Sequence, residues 1–410
     1  MSDVIANIDP TTVWKHFSDL NAVPRPSKKE ERVIAFMMDF GASLGLETVK
    51  DSVGNIVIRK PASPGMEKRK TVVLQAHLDM VHQKNNATAF DFEAQGIQMF
   101  LDGDWVRAKG TTLGADNGLG VAAIMGILAS DTIPHPALEA LFTIDEETGM
   151  TGAKGLANDV LNGSILLNLD TEEDDTLCVG CAGGVDVTAR GSYTPVAAED
   201  ETQGLNIRIN GLQGGHSGMD IHKGLGNANL LLGRILLACS EVAAISLAEM
   251  DGGSLRNAIP REAHALCVIP PGTWDEVLRA MEVEKTAVLE EYREKEPDLR
   301  ITAEPTARPE KTMDSRTTAN FLNCLYSLYN GVYAMSSEFP TLVESSNNVA
   351  RVQVGEGRIE IGSLTRSSRE SAKADLVRKL KASFLPAGYQ VTTGGDYPGW
   401  LPDISSPILA

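Results

Sequence analysis

The sequence predicts an α/β protein: a mixed, mostly parallel sheet with helices on both faces, joined by an inserted α+β domain. Three observations predict it. Apolar strands alternate with helical segments as far as residue 170. Near residue 185 the pattern changes to alternating strands of antiparallel type. The 410 residues also exceed what one hydrophobic core usually organises.

Taken in order, residues 11 to 47 read as two helices. Val13, Trp14, Phe17 and Leu20 fall at helical spacing, as do Val33, Phe36, Met37, Phe40 and Leu44. Pro24 and Pro26 break the pattern between them, and Ser27 ahead of Glu30 and Glu31 reads as a helix start. NIVIRK, TVVLQAHLDM, ALEALFTIDEE and SILLNLD read as strands, with LGVAAIMGILAS as a helix among them. Beyond residue 185, VDVTARGSYTP, GLNIRINGL, HALCVIP and RIEIGSLTR read as strands. GLGNANLLLGRILLACSEV and TWDEVLRAMEVEKTAVLEEYREK read as amphipathic helices. The expected division is 1–184 for the first domain, 185–397 for the insert and 398–410 for the start of a return into the first domain.

Composition narrows the class. With 42% hydrophobic and 22% charged residues the chain is ordinary for a globular protein. No apolar run reaches the ~20 residues that cross a bilayer. The start, MSDVIANIDPTTVWKHFSDL, lacks the basic head and apolar core of an export signal, so a cytoplasmic location is expected. A net charge of -18 repels phosphate backbones and argues against a nucleic-acid partner. Five cysteines do not form a disulfide framework. The pair Cys178 and Cys181 lies in a strand-like, Gly-rich stretch and is expected as buried thiols.

The chemistry gathers at strand ends. TVVLQA runs into His77 and Asp79, ALFTI into Asp145, Glu146 and Glu147, and SILLNL into Asp170. Asp116 lies in the Gly-rich loop TTLGADNGLG just before a helix. Open α/β sheets hold ligands at the carboxyl ends of their strands. Carboxylates converging there with a histidine are best explained by bound cations, because burying unpaired charge costs several kcal/mol per ion. Positions 77 and 79 share one face of a strand, so one can bind while the other orients it. Glu146 and Glu147 are adjacent and, on a strand, point apart: one toward a metal, the other toward water. One carboxylate such as Asp116 can bridge two metals roughly 3.5–4 Å apart. Mixed His and carboxylate ligands suit zinc, manganese or cobalt better than magnesium.

QAHLDMV, GTTLGADNGLG, DEETGMTGA, NLDTEE, GCAGG, GGHSGMDIHKGLGNAN, LRNAIPRE and DYPGW together resemble the aminoacyl-histidine dipeptidases, or cytosolic non-specific dipeptidases, of the co-catalytic zinc aminopeptidase clan. The similarity runs from about residue 10 to the last residue. It implies a zinc aminopeptidase-like first domain and an inserted lid that forms a homodimer. It further implies that His77 and Asp170 hold one zinc ion and Glu147 the other, with Asp116 bridging and followed by a cis peptide to Asn117. Asp79 would orient His77, and Glu146 would be the general base. His216 would reach across a dimer to the substrate carbonyl, while Asn257 and Arg366, with Arg369 nearby as a competitor, would hold the substrate carboxylate. Family members continue past DYPGW and supply a further histidine ligand; here no histidine follows His264. The resemblance therefore implies three protein ligands for one metal and two for the other in this chain, a truncated piece or a fragment with a weakened second site, and apolar surface left open on the first domain. The implied substrates are Xaa-His and other unblocked short peptides. A deacylase of N-acyl amino acids, or a non-catalytic metal-binding remnant, are the alternatives.

Overall fold

The computed structural model describes residues 5–85, 87–171 and 175–409. Contacts divide the chain between Cys178 and Val179 into a first unit, Met1–Cys178 with Pro407–Ala410, and a second unit, Val179–Ser406.

The first unit opens with helices α1 (Thr11–Asn21) and α2 (Glu31–Ser43). Phe17 and Leu20 of the first and Val33 and Met37 of the second are fully buried. The second helix begins at Glu31 and not near Ser27, whose hydroxyl is spent on Asp79. Its sheet contains β1 (Glu47–Lys50), β2 (Ile56–Lys60), β3 (Val72–His77), β4 (Leu138–Thr143) and β5 (Ile165–Asn168), in the spatial order β1-β2-β4-β3-β5. The sheet is mixed. β1, β2 and β4 pair antiparallel, while β4, β3 and β5 run parallel. The parallel half is the half that carries the chemistry, because its three carboxyl ends open on one edge. Every residue of β4 is buried, as its continuous apolar run requires. Between β3 and β4 runs α3 (Ala115–Ala129), where Val121, Ala122, Ile124, Met125 and Leu128 are all buried. The edge strand β5 leaves Leu166 and Leu167 about half exposed.

The second unit is built from β6 (Gly183–Ser192), β7 (Gln203–Asn210), α5 (Ala228–Val242), β8 (Ser246–Gly252), β9 (Ala263–Ile269), α6 (Trp274–Glu291), β10 (Arg300–Thr306), α7 (Ser315–Ser327), β11 (Val343–Gly355), β12 (Arg358–Ser367), α8 (Glu370–Phe384) and β13 (Gln390–Tyr397), with the short α4 (Thr151–Gly155) lying before it in the chain. Its sheet order is β10-β7-β9-β8-β11-β12-β6-β13. The two halves of this order share one connectivity. β7-α5-β8-β9-α6-β10 and β6-α7-β11-β12-α8-β13 are each strand-helix-strand-strand-helix-strand, with the same internal strand order, apart from an added short strand, Gly331–Met335, that pairs with β11 in the second half. They meet edge to edge where β8 pairs antiparallel with β11, Met250 opposite Val354 and Gly252 opposite Val352. The first half is inserted in sequence after β6 of the second. One large core, including Leu232, Ile235, Leu236, Phe321 and Phe384, serves both.

Cys178 and Cys181 are exposed, not buried, and form no disulfide. Their segment lies at the junction of the two units and not in the interior of a strand. Among the described residues, no helix is long and apolar enough to cross a membrane.

Candidate metal centre

His77 is the last residue of β3, opposite Thr143 at the end of β4. Asp170 follows β5 by two residues, and Asp116 sits in the first turn of α3. β4 stops at Thr143, so Glu146 and Glu147 lie in a turn and not on a strand. The left-handed Asp145 (φ 52°) starts that turn. Its side chain holds the turn by accepting from the hydroxyls of Thr151, at 2.8 Å, and Thr148. As a result the two glutamates converge where strand geometry had them diverging.

The donors gather around one imidazole. His77 Nε2 lies 3.0 Å from Asp116 Oδ1, 3.7 Å from Asp170 Oδ1 and 4.0 Å from Glu146 Oε2. Ligand atoms of His77, Asp116 and Asp170 fall within 4.8 Å of one another, and so do those of His77, Glu146 and Glu147. Among the described residues, no lysine or arginine forms an ion pair with Asp116, Glu146, Glu147 or Asp170. A third group, Glu30, Asp79 and Asp145, is buried but answered by protein donors. Glu30 accepts from the amides of Lys28 and Asp145, and Asp79 from Ser27 and from the amides of Glu146 and Glu147. It is scaffolding.

Asp79 contacts more than the histidine. Fully buried, its Oδ1 lies 3.2 Å from His77 Nδ1 and accepts the Glu146 amide at 3.0 Å. Its Oδ2 accepts Ser27 Oγ at 2.8 Å and the Glu147 amide at 3.2 Å. One carboxylate thus fixes the ring and the backbone of both glutamates. Two further supporting roles were invisible to sequence reasoning. Arg25, in the proline-flanked break between α1 and α2, is buried. Its Nη1 donates to the carbonyls of Leu78 and Asp79 at 3.1 Å, and its Nη2 to Asn21 and to the carbonyl of Gly114. A β-carbon on Gly114 or Gly118 would lie within 2.6 Å of that nitrogen, so the glycines of the Asp116 loop make room for an arginine. Asn117 donates to the carbonyl of Leu169, at 2.7 Å, and to Asp170, tying the loop of Asp116 to the end of β5. The Asp116–Asn117 peptide is cis.

Crowded charge moves the proton affinities. Burial alone would lower the pKa of His77, but the bond to Asp79 and the charges of Asp170 and Glu146 outweigh it and raise it to about 9. Burial raises Glu146 to about 7, the charges of Asp170 and Glu147 adding to it and His77 opposing. Glu147 and Asp170 are also raised, by burial first. Asp79 goes the other way: burial opposes ionisation, yet His77, the Glu146 amide and Ser27 bring it down to about 2. A site that holds its histidine protonated must release that proton to bind a cation. Cation affinity of the chelator-treated protein is therefore expected to fall about tenfold for each pH unit below about 9. Competition titration against a chromogenic chelator at several pH values checks this; a flat profile would contradict it.

The second unit brings His216, Asn257 and Arg366 together. Gly215 and His216 pair with Ala258 and Ile259, and the amide of Ser217 donates to the Asn257 carbonyl at 2.7 Å. Arg256 anchors that loop to the sheet through the carbonyls of Val187 and Ser363, and Asn348 bonds the carbonyls on either side of Asn257. His216 Nδ1 accepts from the amides of Met219 at 3.0 Å and Gly218 at 3.3 Å. Burial and the nearby Arg366 charge lower its pKa, which favours a neutral ring with its proton on Nε2. A β-carbon on Gly218 would touch both His216 Cε1, at 3.2 Å, and Arg366 Nε, at 3.4 Å. Arg369 is engaged elsewhere, with Glu344 at 2.8 Å, which leaves Arg366 as the candidate for an anion.

A mixed α/β sheet with imidazole and carboxylates converging at its parallel carboxyl ends defines a metal-dependent peptidase. Peptidase family M28 matches residues 55–187, and a peptidase dimerisation domain matches residues 207–295, the first half of the second unit. The chain is 40% identical over 405 residues, 99% of its length and 84% of the relative's, to the cytosol non-specific dipeptidase of Escherichia coli (strain K12). The crystal structure of the aminoacylhistidine dipeptidase of Vibrio alginolyticus superposes with a TM-score of 0.90 at 40% identity, covering 100% of this chain and 84% of that one. The chain belongs to the cytosol non-specific dipeptidase family and is a peptide-bond hydrolase. These relatives favour neither the deacylase nor the non-catalytic reading.

Proposed function

We propose that the protein hydrolyses unblocked dipeptides, Xaa-His among them, with water activated by two divalent cations and Glu146 as general base. The observation that carries this is the grouping of four carboxylates around His77, none of them ion-paired with a lysine or arginine among the described residues. That donor set fits divalent cations, and its nitrogen and oxygen mixture fits zinc, with manganese or cobalt as substitutes. His77 and Asp170 would hold one ion, Glu147 the other, and Asp116 both. When bound, the ions would supply Lewis acidity that lowers the pKa of water and polarises the scissile carbonyl. Glu146 takes the proton from the attacking water and passes it to the leaving amine. His216, reaching across the dimer as the resemblance implies, would donate from Nε2 to the oxyanion of the tetrahedral intermediate. Arg366 and Asn257 receive the substrate carboxylate, which selects short, free peptides.

We further propose a cytoplasmic homodimer assembled through the second unit. Its contact would lie away from β8, since β11 of the same chain already pairs with that edge. The deciding assay compares dipeptides, including Xaa-His, with N-acetyl amino acids, with and without added Zn²⁺ or Mn²⁺. Cation-dependent cleavage of dipeptides is the expected result. No dipeptide turnover by cation-loaded protein would overturn the proposal.

A further inference from the structure

DYPGW and GCAGG are the two motifs that the reaction does not absorb, and the fold explains them as one device. Strands β12, β6 and β13 lie side by side. Arg366 of β12 is opposite Gly184 of β6, and Gly184 is opposite Tyr397 of β13. A cross-strand row of three residues thus has arginine at one end, tyrosine at the other and no side chain between them. The phenol lies over the glycine: a β-carbon on Gly184 would be 2.6 Å from both Tyr397 Cζ and its hydroxyl. Across that gap Arg366 Nη1 donates to the Tyr397 hydroxyl at 2.8 Å. A register shift between Gly394 and Tyr397 marks a bulge, the usual means of re-aiming one side chain on a strand.

The tyrosine is held firmly. Lys373, itself buried, donates to the Tyr397 carbonyl and to Asp396, both at 2.7 Å. Glu370 accepts the Gly399 amide at 2.9 Å, and the backbones of Trp400 and Cys181 exchange hydrogen bonds at 2.8 Å. Against this, Arg366 Nε is buried and has no hydrogen-bond partner. A buried donor left unpaired costs roughly 1–3 kcal/mol, more when charged, unless something else answers it. It lies on the side of Gly218 and His216. With Nη1 taken by the phenol, the edge left for a bidentate carboxylate is the one formed by Nε and Nη2.

We propose that Tyr397 is a positioning residue for Arg366. It occupies Nη1 and turns the Nε edge of the guanidinium toward the free carboxylate of a dipeptide. This rests on Arg366 as the carboxylate receptor. Gly184 is there to let the phenol pass, and Lys373 is there to fix it.

The test uses the full chain loaded with Zn²⁺, two substrates and three variants. The substrates are an Xaa-His dipeptide and its C-terminal amide, and the readout is the ratio of their kcat/KM values. Tyr397→Phe is expected to raise KM for the free dipeptide about tenfold, with the loss falling on KM rather than kcat. The amide should be little affected, so the preference for a free carboxylate drops about tenfold. Gly184→Ala, which pushes the ring aside, should do the same. Arg366→Met should abolish the preference. A merely structural role for Tyr397 would lower both substrates together, or lower Tm, without changing the ratio, and would overturn the proposal. If Tyr397→Phe keeps the preference while Arg366→Met abolishes it, Tyr397 is excluded and Arg366 stands. If Arg366→Met itself keeps the preference, the carboxylate-receptor reading falls and the proposal with it.

Discussion

Glu146→Gln is expected to lower kcat on a dipeptide by roughly 10²–10⁴-fold while leaving the bound cations in place. The substitution keeps the shape and the backbone, so the Glu146 amide still donates to Asp79 and the turn still forms. It removes only the capacity to take a proton. The carboxylate is suited to that task by its surroundings. Burial first, and then the charges of Asp170 and Glu147, raise its pKa to about 7, while the His77 charge opposes them. A carboxylate whose proton affinity lies near neutrality both accepts and returns a proton in one cycle. Cations bound among the acids would pull this value down, so kcat/KM should fall as pH drops through a pKa below about 7. Glu147→Gln, by contrast, should lose cation affinity as well as activity. Cation content by atomic absorption beside kcat separates the two. A Glu146→Gln protein that retains kcat would remove the general base from the mechanism, and one that instead loses its cations would make Glu146 a ligand.

The strand-terminal residues of the metal centre were readable because of a simple geometry. Parallel strands end on one edge, so His77, the acids after β4 and Asp170 had to converge. What could not be read was how they are held. Glu146 and Glu147 follow a strand whose last residue is Thr143, and only the left-handed Asp145 brings both side chains inward. Ser27 has the chemistry of a helix cap, and nothing local reveals that its partner is Asp79, 52 positions away. In the second unit, β11 escaped detection because its first half is Ser345, Ser346, Asn347 and Asn348, all buried. These polar groups are answered across strands and loops: Ser345 by Ser367, Asn347 by Thr365 and the Tyr329 carbonyl, Asn348 by the carbonyls of Arg256 and Ala258. Hydrophobic periodicity cannot register a strand whose buried face is built from hydrogen bonds.

Arg25→Met is expected to destabilise the protein by about 3–5 kcal/mol, because it strips a buried charge from acceptors that nothing else can reach. The guanidinium is only 1% exposed. Burial lowers its pKa to about 10, with the charges of Asp79, Asp116 and Glu147 opposing, so it stays protonated at neutral pH. It serves the carbonyls of Leu78, Asp79 and Gly114 together, and so joins the segment after His77 to the loop that carries Asp116. Lysine cannot replace it, since a single ammonium lacks the planar fork that spans both loops. The cation affinity of Arg25→Met then distinguishes two physical roles. If Arg25 mattered only as a charge, its removal would make the site more negative, and affinity would rise. If it acts by positioning His77 and Asp116, affinity falls roughly 10–100-fold, as outer-shell substitutions usually cause. The geometry predicts the fall. Urea denaturation and a chelator competition on the same protein measure both quantities, and unchanged stability with tighter cation binding would show that the two loops hold their places without it.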